Sequence, residues 1–105
     1  MRKIKLTKWK VKDQEGKEVE DSILSAIKAI ISLSKPEELN GLEKFQIMGS
    51  LAKAFDSAEK EDVLKLEERE YKFIVELLKQ KIPANWGFNN KLTESINNFM
   101  DAKEE

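Results

Sequence analysis

The 105-residue sequence contains no cysteine and no histidine, only four glycines, two prolines and two arginines. Each shortage removes a class of chemistry. Without cysteine there is no disulfide, no thiolate nucleophile and no Cys-rich zinc or iron–sulfur site, a pattern that fits a reducing compartment such as the cytoplasm. Without histidine the chain lacks the commonest acid–base group near neutral pH and the commonest metal ligand, so Ser-His-Asp, Cys-His and His-metal arrangements are excluded. Gly16, Gly41, Gly49 and Gly87 stand apart from one another, which rules out a glycine-rich phosphate loop. With arginine confined to Arg2 and Arg69, bidentate reading of phosphate or guanine has little material. No apolar run is long enough to span a bilayer and the lysine-rich start lacks a signal peptide's apolar segment, so no membrane partner is expected.

Charge, by contrast, is plentiful and balanced, with nineteen basic and twenty acidic residues for a net −1. The protein as a whole therefore has no electrostatic bias toward nucleic acid, and only local patches could recruit it. The length suits a single domain, residues 1–105, with one core.

Residues 2–12 alternate apolar and basic side chains, with Ile4 and Leu6 in one phase and Trp9 and Val11 in the other. One strand carrying a bulge near Thr7 and Lys8 accounts for the slip. Asp13 to Gly16 supply turn chemistry, and residues 17–20 form the return strand of a hairpin in which Lys5, Lys8, Lys10 and Lys12 can face Glu18 and Glu20. A third short strand is expected at residues 63–66, Val-Leu-Lys-Leu.

About four helices follow from the apolar spacing. The first, capped by Asp21 or Ser22, carries Ile23, Leu24, Ile27, Ile30, Ile31 and Leu33. Ser34, Pro36 and Glu37 resemble a capping-box start, and Asn40 with Glu43 a second one, opening a helix with Leu42, Phe45, Met48, Leu51, Ala52 and Phe55 on one face. Gly49 would permit a close crossing there. A third helix runs from the acids Glu67, Glu68 and Glu70 to about Lys81, where Pro83 stops it. The last, capped by Asn89 or Asn90, places Leu92, Ile96, Phe99 and Met100 on one face, and residues 101–105 form a frayed tail. The expected fold class is α+β, with an N-terminal β-hairpin packed on these helices.

Several stretches look chemical and have ordinary explanations. Residues 56–67 imitate a calcium-loop register, yet Ala58 and Lys60 occupy ligand positions and Glu61 replaces the turn glycine. The cluster Glu67, Glu68 and Glu70 suits the positive end of a helix better than an acid–base pair. No catalytic residue, cofactor or metal is therefore expected. Two stretches remain as binding candidates. Lys8, Trp9 and Lys10 interleave cations with an aromatic, as a phosphate-and-base contact requires, although lysines on a strand edge also deter aggregation. Asn85, Trp86 and Phe88, around Gly87, offer amides beside aromatics, a kit for stacking on a base or sugar, for a partner-protein hot spot, or merely for anchoring a connector.

The order of Lys-Ile-Lys-Leu at 3–6, Val-Lys-Asp-Gln-Glu-Gly-Lys-Glu-Val at 11–19, Ser-Lys-Pro-Glu-Glu-Leu-Asn-Gly-Leu-Glu-Lys-Phe at 34–45, Leu-Ala-Lys-Ala-Phe at 51–55 and Val-Leu-Lys-Leu-Glu-Glu-Arg-Glu-Tyr at 63–71 resembles small uncharacterised accessory proteins of tailed bacteriophages. The resemblance implies an accessory structural or assembly component, or an inhibitor of a host factor, in host cytoplasm or virion. It carries over no active-site residues, and the Trp86 connector lies outside it. The functional expectation is a non-enzymatic protein-interaction module that binds a partner or self-associates. The alternative is a small-ligand, nucleotide or nucleic-acid binder using the lysine-rich strand with Trp9 or the Trp86 loop.

Overall fold

The chain turns aside after Lys5, and that turn divides the N-terminal segment between two sheets. The structure, a computed structural model, describes residues 1–34 and 40–103. β1 (Arg2–Lys5) pairs antiparallel with β4 (Val63–Leu66), while β2 (Trp9–Lys12) pairs antiparallel with β3 (Glu18–Asp21). The single bulged strand expected from the sequence is thus two strands. The phase slip has a simple origin: Leu6 N–H donates to the Asp62 carbonyl at 2.9 Å, holding the end of β1 on the β4 side while Trp9 starts a new ladder opposite Asp21. The anticipated third strand at 63–66 exists and partners β1 rather than extending the hairpin.

The α+β class is realised, among the described residues, by four α-helices: α1 (Ile23–Leu33), α2 (Leu42–Glu61), α3 (Glu68–Lys81) and α4 (Asn90–Met100). Between α3 and α4 lies a 3-10 turn, Ala84–Phe88, where the sequence indicated only an irregular loop. Gly87 does not adopt positive φ; that role falls to Gly16 in the β2–β3 turn and to Gly41 before α2.

Helix starts follow local chemistry at most positions. Ser22 Oγ accepts the Leu24 N–H and Asn89 Oδ1 accepts the Leu92 N–H. α3 opens with a capping box in which the Glu67 side chain bonds the Glu70 backbone and Glu70 reaches back to Glu67 N. The Asn40/Glu43 box does not form; Gly41 is the N-cap of α2 and no side chain caps it. The capping box read at residues 34–37 lies on residues 35–37, outside the described residues.

The core gathers Ile4, Leu64 and Leu66 from the β1–β4 sheet, Ile23, Ile27 and Ile30 from α1, Leu51 and Phe55 from α2, Ile74 and Leu78 from α3, and Phe99 from α4. On α2 the buried line is Ile47, Leu51, Phe55 and Ala58, one step round the helix from the expected stripe, and Leu42 and Phe45 face outward. Among the described residues nothing lies within 4 Å of a Cβ added at Gly49, so no close crossing uses it. The β2–β3 hairpin is largely exposed and reaches the body through Trp9, which packs with Ala26 and Leu92 in a small second cluster.

One polar cluster ties the chain ends to α3. Arg2 donates from Nε and Nη2 to the two carboxylate oxygens of Glu68 at 3.0 and 2.9 Å, and from Nη1 to the Ala102 carbonyl. Its guanidinium lies 4.2 Å from the centroid of the Tyr71 ring, whose hydroxyl donates to the Phe99 carbonyl at 2.7 Å. Asp101 and Ala102, assigned from the sequence to a frayed tail, are thereby held, with Asp101 N–H donating to Asn97 O at 3.0 Å; residues 104–105 lie outside the described residues.

This cluster makes stability depend on pH. The hydrogen bond from Arg2 holds the Glu68 carboxyl below its usual value of 4.5, so the contact stabilises the fold above the ordinary carboxylate range and fades as pH falls below it. Burial raises the Tyr71 hydroxyl above 10.0, which favours the fold until pH climbs past that value. Arg2→Met should therefore flatten the acid side: between about pH 5 and pH 2, wild type is expected to lose more of its urea midpoint than the variant. Parallel acid profiles for the two proteins would show that the pair contributes nothing.

Candidate functional site

Trp9 and the Trp86 connector, separate candidates in the sequence, stand on the same opening of about 540 Å³. β2 contributes Trp9 and β3 contributes Asp21. Ser22, the cap of α1, and Ser25, Ala26 and Ala29 along one face of that helix form another side. Asn85, Trp86 and Phe88 of the 3-10 turn close the remaining side, with Leu92 of α4 beneath. The recess exists because small side chains recur on α1 at 22, 25, 26 and 29, one helical face without bulk.

The three aromatics sit at different depths. Trp9 is only 9% exposed, and its Nε1–H finds no acceptor among the described residues. Trp86 is half-buried and packs against both hydrophobic clusters. It also lines a second hollow of about 200 Å³ with Pro83 and Ile96, so the indole partitions two recesses. Phe88, at 91% exposed, is the most exposed large apolar residue among the described residues. The connector is therefore neither a fully packed anchor nor a free loop: Trp86 is anchored and Phe88 is presented.

Asn85 is exposed at the rim, its side chain without a hydrogen bond among the described residues, whereas Asn89 spends its side-chain oxygen on the α4 cap.

No family model, curated protein or solved structure matches the chain.

The lysines of the first candidate stretch do not join the aromatic groove. Lys8 Nζ lies 2.7 Å from Asp62 Oδ1. Hydrogen bonding to Asp62, reinforced by its charge, raises the Lys8 pKa. Lys8 lines an adjoining polar hollow of about 250 Å³, beside Glu20, Lys28 and Glu59, and Asp21, Ser22 and Ser25 border both openings. Lys10 is exposed on the hairpin, 3.8 Å from Glu18. Trp9 points inward while its neighbours point out, because strand side chains alternate faces. The interleaving of cations with an aromatic, suggestive in one dimension, is divided between two faces.

Asp21 is the groove residue that sequence reasoning misses. The sequence offers it as a helix cap and as one of the hairpin's acids, but it stands opposite Trp9 in the β2–β3 ladder and lines the groove. The available signal was its register across the hairpin, which becomes useful only once the strand boundaries are known. The acids of residues 56–67 fall on the last turns of α2, at the left-handed Asp62 and, beyond β4, at Glu67, the N-cap of α3, a path unlike a looped calcium site. Among the described residues no helix is long and apolar enough to cross a membrane.

Proposed function

We propose that this protein is a non-enzymatic interaction module whose working surface is the groove between the hairpin, α1 and the 3-10 turn, and whose partner is another protein. The observation that carries the reading is Phe88, 91% exposed at the edge of a recess that also contains two tryptophans. A large aromatic held in water beside an apolar recess costs solvation unless a partner covers it, and aromatic anchors of this kind dominate binding energy at protein interfaces. The groove's walls are chiefly aromatic and small apolar side chains with a polar rim, the usual anatomy of a docking site.

The displaced pKa values lie elsewhere. Lys8, Glu68 and Tyr71 owe their shifts to Asp62, to Arg2 and to burial respectively, and none lines the groove. This supports docking over catalysis, since acid–base sites concentrate such shifts in a cleft. The likeness to tailed-phage accessory proteins supplies the biological part of the reading, an assembly component or an inhibitor of a host factor.

A second reading is favoured by the size of the recess: about 540 Å³ falls within the range of small-molecule sites. Its occupant would be an apolar or cationic molecule. A nucleotide fits poorly, because among the described residues no lysine or arginine lines the opening to meet phosphates.

Phe88→Ala tests the primary reading with little cost to folding, about 0.5 kcal/mol or less for an exposed position. Proteins captured from the native host by wild type should be retained roughly thirtyfold less tightly by the variant, the usual consequence of removing an aromatic hot spot. Equal retention by wild type, Phe88→Ala and Trp86→Ala would defeat the reading.

A further inference from the structure

We infer that the groove receives an arginine side chain presented by the protein partner, with its methylenes on the apolar wall and its guanidinium at the rim. The inference rests on the interaction reading and adds the chemistry of what is docked. Its basis is one juxtaposition: Trp9, Trp86 and Phe88 share an opening with the acidic residue Asp21, and among the described residues no lysine or arginine lines that opening.

Each part of the site suits a guanidinium. Aromatic rings attract cations, arginine more often than lysine, because a guanidinium is planar and gives up its water more readily than an ammonium. Asp21 supplies the countercharge. Its Oδ1 accepts the Ser22 N–H at 2.8 Å, and Asp21 enters no ion pair among the described residues, so the carboxylate keeps capacity for more donors. Arginine brings five N–H groups, and Asn85 and Ser25, both exposed on the same rim, add neutral acceptors. A simple apolar occupant would leave this acceptor-rich edge desolvated and unmatched.

The test titrates the full chain with a capped five-residue peptide carrying arginine between two leucines, and with its citrulline and norleucine counterparts. Citrulline keeps the shape of arginine and removes the charge. The indole N–H resonances of Trp9 and Trp86 report binding. The arginine peptide should move both resonances and bind about tenfold more tightly than the citrulline peptide. Asp21→Asn, which preserves an acceptor for the Ser22 N–H, should abolish that difference. Equal binding of the citrulline or norleucine peptide overturns the arginine inference while leaving an apolar docking groove in place. Failure of all three peptides to move the indole resonances overturns it as well, and the Phe88→Ala capture comparison then decides the interaction reading independently.

Discussion

Phe99→Ala is expected to remove about 3–5 kcal/mol of folding stability, a large share of the roughly 5–15 kcal/mol that a domain of this kind possesses. Phe99 is fully buried, and its ring stacks on Tyr71 with centroids 5.0 Å apart. It is the innermost side chain of α4, a helix of eleven residues, too short to persist in water without tertiary packing. Truncation leaves a cavity between α4 and α3 and loosens the carbonyl that the Tyr71 hydroxyl meets. The urea midpoint should fall by on the order of 2 M, and amide exchange should accelerate first in α4 and the adjoining 3-10 turn. A loss below about 1 kcal/mol would mean that α4 is docked by something other than this ring.

Trp9→Ala should be nearly as severe, about 3–4 kcal/mol, because one side chain secures the whole hairpin. β3 is exposed along most of its length, Val11 is half-buried, and Trp9 is the buried residue that joins β2 to Ala26 and Leu92. Without it the hairpin loses its principal purchase on the body, and a two-stranded hairpin alone is marginally stable at best. Trp9→Phe offers an informative contrast. It preserves an aromatic filler while deleting a buried N–H that has no acceptor among the described residues, so cavity loss and relief of an unsatisfied donor oppose each other. The expected net cost is about 1 kcal/mol or less, measured by the same urea titration. If Trp9→Phe proved as damaging as Trp9→Ala, the indole nitrogen would have to be satisfied in solution. These expectations also decide which aromatic to mutate in binding work. Trp9 is too deeply structural to be replaced in binding work, whereas Phe88 can be removed without disturbing the fold.

Much of the architecture was legible because helices announce themselves through spacing. The boundaries of α1 match the run from Ile23 to Leu33, and α3 ends at Lys81 just before the Ile82–Pro83 pair. Capping by Ser22 and Asn89 follows from side-chain oxygens that satisfy orphan amides within two or three residues, a local effect that needs no tertiary context. Strand partnership was less legible. Nothing within residues 2–12 says that β1 should bond to β4, some sixty positions away, while β2 bonds to its sequence neighbour β3. The face of α2 shows the same limit: Phe45 and Leu42 have the right spacing for burial and are exposed, because the helix is rotated by its contacts with β4 and α3.

By itself, the sequence determined the excluded chemistries, the α+β class, the helix segments and the two aromatic stretches. Composition, periodicity and caps act over a few residues and carry their consequences with them. Only the tertiary structure decided that Trp9 and Trp86 share a groove, that Asp21 joins them, and that Lys8 and Lys10 do not. The groove is assembled from three stretches of chain, Trp9, residues 21–29 and residues 85–92, that meet because Trp9 pins the hairpin against α1 and α4, and such long-range meeting is set by packing of the whole core.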